Sequence, residues 1–476
     1  MTNMLAGALS ARGLSRADRD ALEQLLVVYG NRAPRNRRLA SYYECRQPTP
    51  DIGLEVLPES VDPHARCDWA RKAVTSVSER VRLDGFSFPG GATDPALEAV
   101  ERSCRLVDCF NRHVASELTH GCIFAVVGKG ADGHAYARIH TAEDSAAIWD
   151  HGRQRIASGF TVADARRTPW SPNAAVPVQL NMYLPGRVVV LRRSGSCTWS
   201  SESNPVPIER PMMEAMCYRP TGTKPLGQSR ITPAVTYLVD EVERTLRYMA
   251  VSSALYSRPA RYLMGLSEEQ FEELVKNGKW GLTIGSMMLS TMDADGHVPT
   301  TGQFPATSPQ PYIEAIQAYG KLFSGATGVP LNSLGIVQDN PSSAEAIAAQ
   351  REDVCVAAED CIETNRAGLR EVALMAMAVE ENKRPEDLSD EQKAVMPHFK
   401  DPLQPNLAAR ADAMVKISGA LPGFSGTRYF LEALGMDPAD IDRVLPELRA
   451  NQARQLAQTL SLPRASTAVS ADAQQG

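Results

Sequence analysis

The sequence predicts an α+β protein whose first half mixes helices with strands and whose second half is mostly helical. Residues 1–230 alternate amphipathic helical segments with short β-branched and aromatic runs bounded by glycine and proline. Residues 231–460 instead carry long helical periodicities, interrupted once by a short strand pattern. The 476-residue chain is 43% hydrophobic and 22% charged, so we expect roughly two to four structural units of ordinary globular composition.

Charge, cysteine spacing and apolar runs exclude several classes of protein. The formal net charge is −6, whereas proteins that bind nucleic acid tightly usually present a basic surface. The nine cysteines are scattered without a Cys-x-x-Cys pair, so we expect reduced thiols and neither a zinc nor a redox site. A signal peptide and a membrane-spanning run of roughly 18 apolar residues are both missing from the sequence.

The first half predicts helices over 68–84 and 96–119 and two β-hairpins. In the first hairpin, strands over 121–127 and 134–141 flank the turn GKGADG. In the second, strands over 176–184 and 187–192 flank the Pro185-Gly186 dipeptide. The polar segment 198–209 contains two prolines and no periodicity, which predicts a loop.

The second half predicts two helices that flank a small strand unit. Thr232 is a suitable N-cap and Pro233 a suitable first helical residue for a helix that ends before Pro259. Residues 260–310 predict a short acidic helix over 267–277, a strand over 282–291 and a turn. A second helix is predicted over 309–324, with one apolar side formed by Ile313, Ile316, Tyr319, Leu322 and Phe323.

A polar loop separates this second helix from a third, much longer one. Gly335 is expected to close the second helix, and Gln338, Asp339 and Asn340 follow it. Ser342 and Glu345 then form a capping box that starts a helix running to about residue 382. The predicted buried stripe of that helix consists of Ile347, Val354, Cys361 or Ile362, Leu369 and Val372.

Two patterns could indicate chemistry, and each has a structural explanation. Residues 128–133 match Gly-x-Gly-x-x-Gly, but a strand pattern follows, whereas a dinucleotide site requires a helix, so we predict a tight turn. Cys122 lies near His113 and His120 and could form a catalytic pair with either of them. No orienting carboxylate and no third metal ligand has a matching spacing, so we interpret these as structural residues. A cytosolic Cys/His hydrolase is nevertheless the competing hypothesis.

A series of short segments in the second half resembles the portal proteins of long-tailed phages. In chain order the segments are LGQSRI (226–231), SRP (257–259), TGVP (327–330) and NPSSAEAI (340–347). Weaker matches in the first half include RLASYYE (38–44), DGF (84–86) and HGCIF (120–124). The resemblance covers roughly residues 20–440. A head-adaptor or minor capsid protein would also form rings but is usually much shorter.

This resemblance implies a portal fold and not an enzyme. The implied parts are a mixed α/β wing (1–230), a first stem helix (231–258), a β-containing clip (259–308), a second stem helix (309–335), a tunnel loop (336–341), a long helix spanning the wing (342–385), a helical crown (386–460) and a disordered tail (461–476).

The resemblance also implies a ring of about twelve subunits at one capsid vertex, assembled in the host cytoplasm. Double-stranded DNA would be packaged and ejected through its channel without sequence-specific contacts. Expected partners are the large terminase, a head-completion adaptor, and the major capsid and scaffolding proteins; no cofactor, metal or membrane is expected. Gln338, Asp339 and Asn340 would face the channel from the tunnel loop. The apolar run of the clip would form an assembly interface through Ile284, Met287, Met288 and Leu289.

Overall fold

The computed structural model describes residues 5–48, 65–89, 93–130, 132–168, 171–194, 198–256, 261–266, 287–291, 300–303, 308–336, 344–403, 407–421, 423–436 and 438–461. Contacts divide the chain into two units, Met1–Pro402 and Leu403–Gly476. The helices are α1 (Arg16–Tyr43), α2 (Trp69–Ser78), α3 (Pro95–Cys104), α4 (Leu106–His120), α5 (Pro233–Tyr256), α6 (Gln310–Thr327), α7 (Ala344–Glu380), α8 (Asp390–Lys393), α9 (Leu407–Ala420), α10 (Arg428–Ala433) and α11 (Pro438–Ser461).

The strands that the structure describes belong to the first unit and form four sheets. They are β1 (Leu83–Ser87), β2 (Cys122–Lys129), β3 (Ala135–Thr141), β4 (Ser145–Asp150), β5 (Arg155–Thr168), β6 (Ser171–Leu184), β7 (Arg187–Ser194), β8 (Thr198–Pro205), β9 (Met213–Cys217), β10 (Arg261–Leu266), β11 (Met287–Thr291), β12 (Thr300–Gln303) and β13 (Met396–Phe399). The sheet orders are β1-β13, β3-β2-β9, β4-β5-β6-β7-β8 and β11-β10-β12.

The five-stranded sheet β4–β8 is antiparallel and packs against the N-terminal segment and α1. Tyr29 of α1 meets Phe160 of β5 edge to face, with ring centroids 5.5 Å apart. The shared apolar core includes Leu5, Leu22, Leu25, Leu180, Met182 and Leu191. Because the N-terminal helix covers one face of this sheet, the apolar spacing of α1 is explained by burial.

The prediction of a loop over 198–209 is wrong, because residues 198–205 form the edge strand β8. Its residues pair with β7 in an antiparallel register, for example Arg192 with Ser200. Trp199 is buried beneath the N-terminal segment. The backbone of Arg12 donates to the Trp199 carbonyl (2.9 Å) and accepts from the Ser201 amide (2.9 Å). A polar strand can form here because its outward face is solvated and only one large apolar residue has to be buried.

The sheet β3-β2-β9 lies in the main core, with α4 and α7 packed against it. Both predicted hairpins are confirmed, β2–β3 and β6–β7. The glycine pattern of 128–133 forms the tight turn of the first hairpin: the Gly130 amide donates to the His134 carbonyl (2.8 Å), and Gly133 has φ +85°. A strand follows this turn, so the tight-turn interpretation is confirmed.

Two predicted helices of the first half need correction. The helix predicted over 68–84 stops at Ser78, because Leu83–Ser87 pairs with β13, more than 300 positions away in sequence. The helix predicted over 96–119 is divided at Arg105, whose φ of +49° breaks the helical backbone between α3 and α4. Pairing with the distant strand β13 is what makes residues 83–87 a strand and not a continuation of α2.

The long helices of the second half are confirmed, with two exceptions at α6. The Val235 amide contacts the Thr232 hydroxyl (3.3 Å), as an N-cap predicts. The helix α6 ends at Gly328 (φ +71°), whereas Gly335 closes a short 3-10 turn. On α6, Phe323 is fully buried but Leu322 is 62% exposed, so these two do not share a buried side. In the stripe of α7, the described members from Val354 to Val372 are buried as predicted.

The first unit ends at Pro402, and the second is helical. Strand β13 pairs with β1, so residues up to 402 pack with the N-terminal elements. In the second unit, Gly435 has φ +86° and follows α10. The described side chains buried there are Leu431 and Ile441. Residues 462–476, predicted to be disordered, lie outside the described residues. Among the helices described, none is long and apolar enough to span a bilayer.

Candidate functional site

The structure places the predicted site residues only in part. Gln338, Asp339, Asn340 and Ile284 lie outside the described residues. Met287, Met288 and Leu289 lie in β11, which pairs in parallel with β10; β12 pairs with the other edge of β10. The strand predicted over 282–291 is therefore found over its second half, and its partner β10 was not predicted. These three strands form a small sheet between α5 and α6 in the chain.

The geometry does not support the Cys/His hydrolase. Cys122 is buried in β2, and burial raises the pKa of its thiol to about 12, so the reactive thiolate is disfavoured. His113 contacts the Cys109 carbonyl (2.7 Å), and His120 Nε2 lies 3.6 Å from a Glu143 carboxylate oxygen. In the described part of the chain, neither histidine makes a hydrogen bond to Cys122, and no group of three or more His, Cys, Asp or Glu side chains could hold a metal.

The segment that leads into α5 is built around a close backbone approach at Gly227. Gly227 has φ +72°, and a Cβ there would lie 2.1 Å from the Gly121 carbonyl oxygen and 2.7 Å from the Tyr218 carbonyl oxygen. Gly121 itself has φ +103° at the end of α4. Only glycine satisfies both the left-handed backbone and the contact. The segment preceding α5 is thereby fixed against the end of α4.

Three positions farther on, Arg230 joins three separate elements. Its guanidinium donates to the Ala73 carbonyl of α2, to the Tyr218 hydroxyl (3.0 Å) and to the Thr327 carbonyl at the end of α6 (2.6 Å). Its side chain is buried. The preceding Ser229 donates to the Thr119 carbonyl (2.6 Å). Thus the start of α5 and the end of α6 are both held to the first-unit core by one side chain.

Farther along α5, two carboxylates bind elements of the N-terminal region. The Tyr42 hydroxyl of α1 lies 2.9 Å from both Asp240 carboxylate oxygens. Glu243 is fully buried and accepts from the Gln47 side-chain amide (2.6 Å) and the Cys67 backbone amide (3.1 Å). Burial raises the pKa of Glu243, and the Cys67 hydrogen bond opposes that rise. Each contact joins residues more than 170 positions apart in sequence.

The long helix α7 is held to the same core through a buried carboxyl on α4. Glu117 is fully buried and accepts from the Asn365 side-chain amide at 2.9 and 3.1 Å. The Cys361 thiol lies 3.7 Å from the same carboxyl. No cation lies among these partners, and burial raises the pKa of Glu117 to about 8. The carboxyl is therefore largely protonated at neutral pH.

These contacts define a junction, consisting of Gly227, Arg230, Asp240, Glu243 and Glu117, that fixes three long helices to one mixed α/β core. Its hydrogen bonds end on backbone carbonyls, amides and buried side chains, which suits mechanical anchoring. Sequence reasoning placed Gly227 and Arg230 in a family-like segment but assigned them no role. A glycine and an arginine just before a capped helix are only a weak sign of an anchoring role, because the hydrogen-bond partners of the arginine lie far away in sequence.

Comparisons with known proteins find similarity in the region that contains Gly227 and Arg230. Residues 227–435 match the family model for "Phage portal protein, SPP1 Gp6-like". The chain is 24% identical over 398 residues to the portal protein of Mycobacterium phage L5, covering 80% of this chain and 78% of that protein. It is 28% identical over 204 residues to the portal protein of Mycobacterium phage D29, covering 40% of this chain and only 39% of that protein.

Two solved structures also show a partial similarity to the chain. One is the neck of a native GTA particle computed with C12 symmetry (TM-score 0.41, 14% identity, 79% of this chain and 91% of that one). Another is an HK97 family phage portal protein from Corynebacterium diphtheriae (TM-score 0.30, 13% identity, 72% and 94%). The family match begins at Gly227 and includes Arg230 and all three anchored helices, so the chain is similar to phage portal proteins over this region.

Proposed function

We propose that the protein assembles into a homo-oligomeric ring of about twelve subunits at one vertex of the capsid, after synthesis in the host cytoplasm. Double-stranded DNA passes through the central channel during packaging and again at ejection. The observation that carries this proposal is the family match over residues 227–435, which includes four of the five junction residues, Gly227, Arg230, Asp240 and Glu243. A channel wall under load needs its long helices fixed to a rigid body, and the junction supplies that attachment.

In this proposal α5 and α6 are the stem, and the sheet β11-β10-β12 belongs to the clip. The contact between α5 and α6 and their common anchor at Arg230 support the stem assignment. The elements up to β9 form the wing, and α7 spans it. The crown is the helical region predicted over residues 386–460, of which the part from Leu403 onwards belongs to the second unit.

Two sets of residues carry the proposed contacts. Gln338, Asp339 and Asn340 face the DNA from the tunnel loop between α6 and α7. The clip run of Ile284, Met287, Met288 and Leu289 contacts neighbouring subunits, since a three-stranded sheet of this size is marginally stable alone. An apolar run in so small a sheet favours completion by a neighbour.

The proposed partners follow from the channel. The large terminase docks during packaging and is replaced by a head-completion adaptor; the major capsid and scaffolding proteins contact the wing. The net charge of −6 supports a channel that does not grip DNA. A wall that neutralised many phosphates would bind DNA strongly and in a steeply salt-dependent way, which would oppose the packaging motor at every step.

Negative-stain imaging and light scattering of the purified protein test the proposal. We expect rings with a central hole and a mass of about a dozen subunits. Because a portal ring can require scaffold to assemble, the same measurement is made after co-expression with the scaffolding protein. Monomers under all conditions, with and without scaffold, would contradict the proposal.

A further inference from the structure

The helices α5 and α6 each leave one side uncovered by the rest of the first unit. On α5, Tyr237 is 60% exposed, and the side chain of Arg244, about two turns later, is 37% exposed. On α6, Leu322 is 62% exposed, and Glu314, about two turns earlier, is exposed as well. Other sides of both helices pack in the main core. Exposed apolar residues that occur singly need no explanation, so the positions of these residues along the two helices decide what they mean.

The exposed residues lie at matching distances from a common anchor, the hydrogen bond from Arg230 to the end of α6. At a rise of 1.5 Å per residue, Tyr237 lies about 10 Å along α5 from this anchor, and Leu322 lies about 8 Å from it along α6. Arg244 and Glu314 lie about 21 Å and about 20 Å from the anchor in the same way. The two apolar residues therefore share one level, and the two opposite charges share another.

The charges at the second level have capacity for a further contact. Arg244 forms an ion pair with Glu241 on its own helix (2.8 Å) and keeps part of its side chain exposed. Glu314 accepts a hydrogen bond from the Gln310 side-chain amide (3.2 Å) and has no ion pair with a described residue. A surface ion pair alone adds little affinity, but like charges at a contact oppose it strongly. Charges of this kind fix which residues meet, while the apolar residues supply the buried area.

We propose that the side of α5 that carries Tyr237 and Arg244 packs against the side of α6 that carries Leu322 and Glu314 of a neighbouring copy. This inference rests on the proposed ring. A rotation about the channel axis keeps every residue at its own height, so residues that share a level on α5 and α6 meet between neighbours. A contact repeated around a ring needs two different faces on each subunit, and these helices supply one each. A different partner protein would not require the two helices to match each other in level and in charge.

Charge reversal in the full-length protein tests the contact. Arg244→Glu and Glu314→Arg each place like charges together, and each should lower the fraction of protein in rings at least about tenfold, measured by light scattering. The double variant restores opposite charges and should form rings again. The matched control combines Arg244→Glu with Glu23→Arg, a change at an exposed residue of α1. It has the net charge of the double variant but leaves the like charges in place, so it should stay unassembled.

The thermal unfolding midpoint of each variant separates assembly from folding. Arg244→Glu also removes the ion pair with Glu241, whereas Glu314→Arg breaks no described ion pair. Loss of rings by Glu314→Arg with an unchanged midpoint therefore reports the contact itself.

Cross-linking tests the apolar level independently. The double variant Tyr237→Cys and Leu322→Cys, treated as rings with a short bis-maleimide, should give a ladder of covalent oligomers on a denaturing gel. The wild type, with its nine native cysteines, should give no such ladder. Covalent monomers alone from rings of the double variant, or normal amounts of rings from both charge-reversed single variants, overturn the contact and leave the proposed ring intact. A wild type that forms no rings, with or without scaffold, contradicts both.

Discussion

The guanidinium of Arg230 donates a 2.6 Å hydrogen bond to the Thr327 carbonyl, which joins the residue just before α5 to the last residue of α6. The same side chain donates to the Ala73 carbonyl and to the Tyr218 hydroxyl. The start of α5 and the end of α6 are therefore both attached to the same part of the first-unit core through Arg230.

Replacing Arg230 with Gln is expected to lower the free energy of unfolding by about 2–5 kcal/mol, because buried carbonyl and hydroxyl groups lose their donor. Urea denaturation of the first unit measures the loss. The matched control is Arg219→Gln, which removes an exposed ion pair with Asp360 and should cost under about 1 kcal/mol. Equal losses for the two variants would show that Arg230 is not an anchor.

Replacing Gly227 with Ala is expected to cost well over the ~1 kcal/mol of a left-handed alanine, because the new Cβ would also meet the Gly121 carbonyl at 2.1 Å. Two controls separate these causes. Gly186→Ala places alanine at φ +75° with nothing within 4 Å, and Gly222→Ala meets nothing within 4 Å. The expected order of destabilisation by urea is Gly227, then Gly186, then Gly222. A Gly227 variant no worse than the Gly186 variant would refute the close approach.

Glu117 should make stability depend on pH. Its pKa rises from an ordinary value of 4.5 to about 8 in the folded protein, so the stabilisation present below pH 4.5 is lost as the pH rises towards 8. Glu117→Gln removes this loss, so the variant should gain on the wild type between pH 5 and pH 9 by on the order of a few kcal/mol. Urea titrations at several pH values measure the difference between the two proteins. Parallel curves would mean that Glu117 is not buried in this way.

Replacing Asp339 with Lys tests the tunnel loop. The proposed ring of negative charge becomes positive and gains about one phosphate contact per subunit in reach, so DNA passage becomes slower and salt-sensitive. We expect intact rings and procapsids that package less DNA in vitro, with partial recovery at higher salt. Asp339→Asn, which removes charge without reversing it, should show a smaller effect. Normal packaging by the Lys variant at low salt would remove Asp339 from the channel.

Local signals were sufficient to predict the long helices of the second half and the two hairpins. Thr232 with Pro233 sets the start of α5, and Pro185-Gly186 sets the turn of the second hairpin, because caps and turns depend on residues that are adjacent in sequence. Strand β1 was taken for the end of a helix because its partner β13 lies more than 300 positions away. Strand β8 was taken for a loop because the N-terminal segment that buries Trp199 is also far away in sequence; Arg12, which contacts Ser201, lies 189 positions before it.

The junction shows the same difference between local signals and contacts that are distant in sequence. The family-like segment around Arg230 could be identified from sequence. The role of Arg230 could not, because it depends on hydrogen bonds to the Ala73 and Thr327 carbonyls, and every residue type carries a backbone carbonyl. Likewise, the burial of Glu117 depends on Asn365, some 250 positions later. The proposed channel residues Gln338, Asp339 and Asn340 lie outside the described residues and stay a prediction.

The backbone of Arg12 pairs with Trp199 and Ser201 along the outer strand of the five-stranded sheet. An uncovered outer strand is a template on which another chain can add its own strand. The proposed ring would hold many identical sheets at high local concentration, a condition that favours such polymerisation. Near the start of β8, the outward hydrogen-bonding groups of Trp199 and Ser201 are already taken by the backbone of Arg12, so a strand of another chain cannot pair with the sheet at that position.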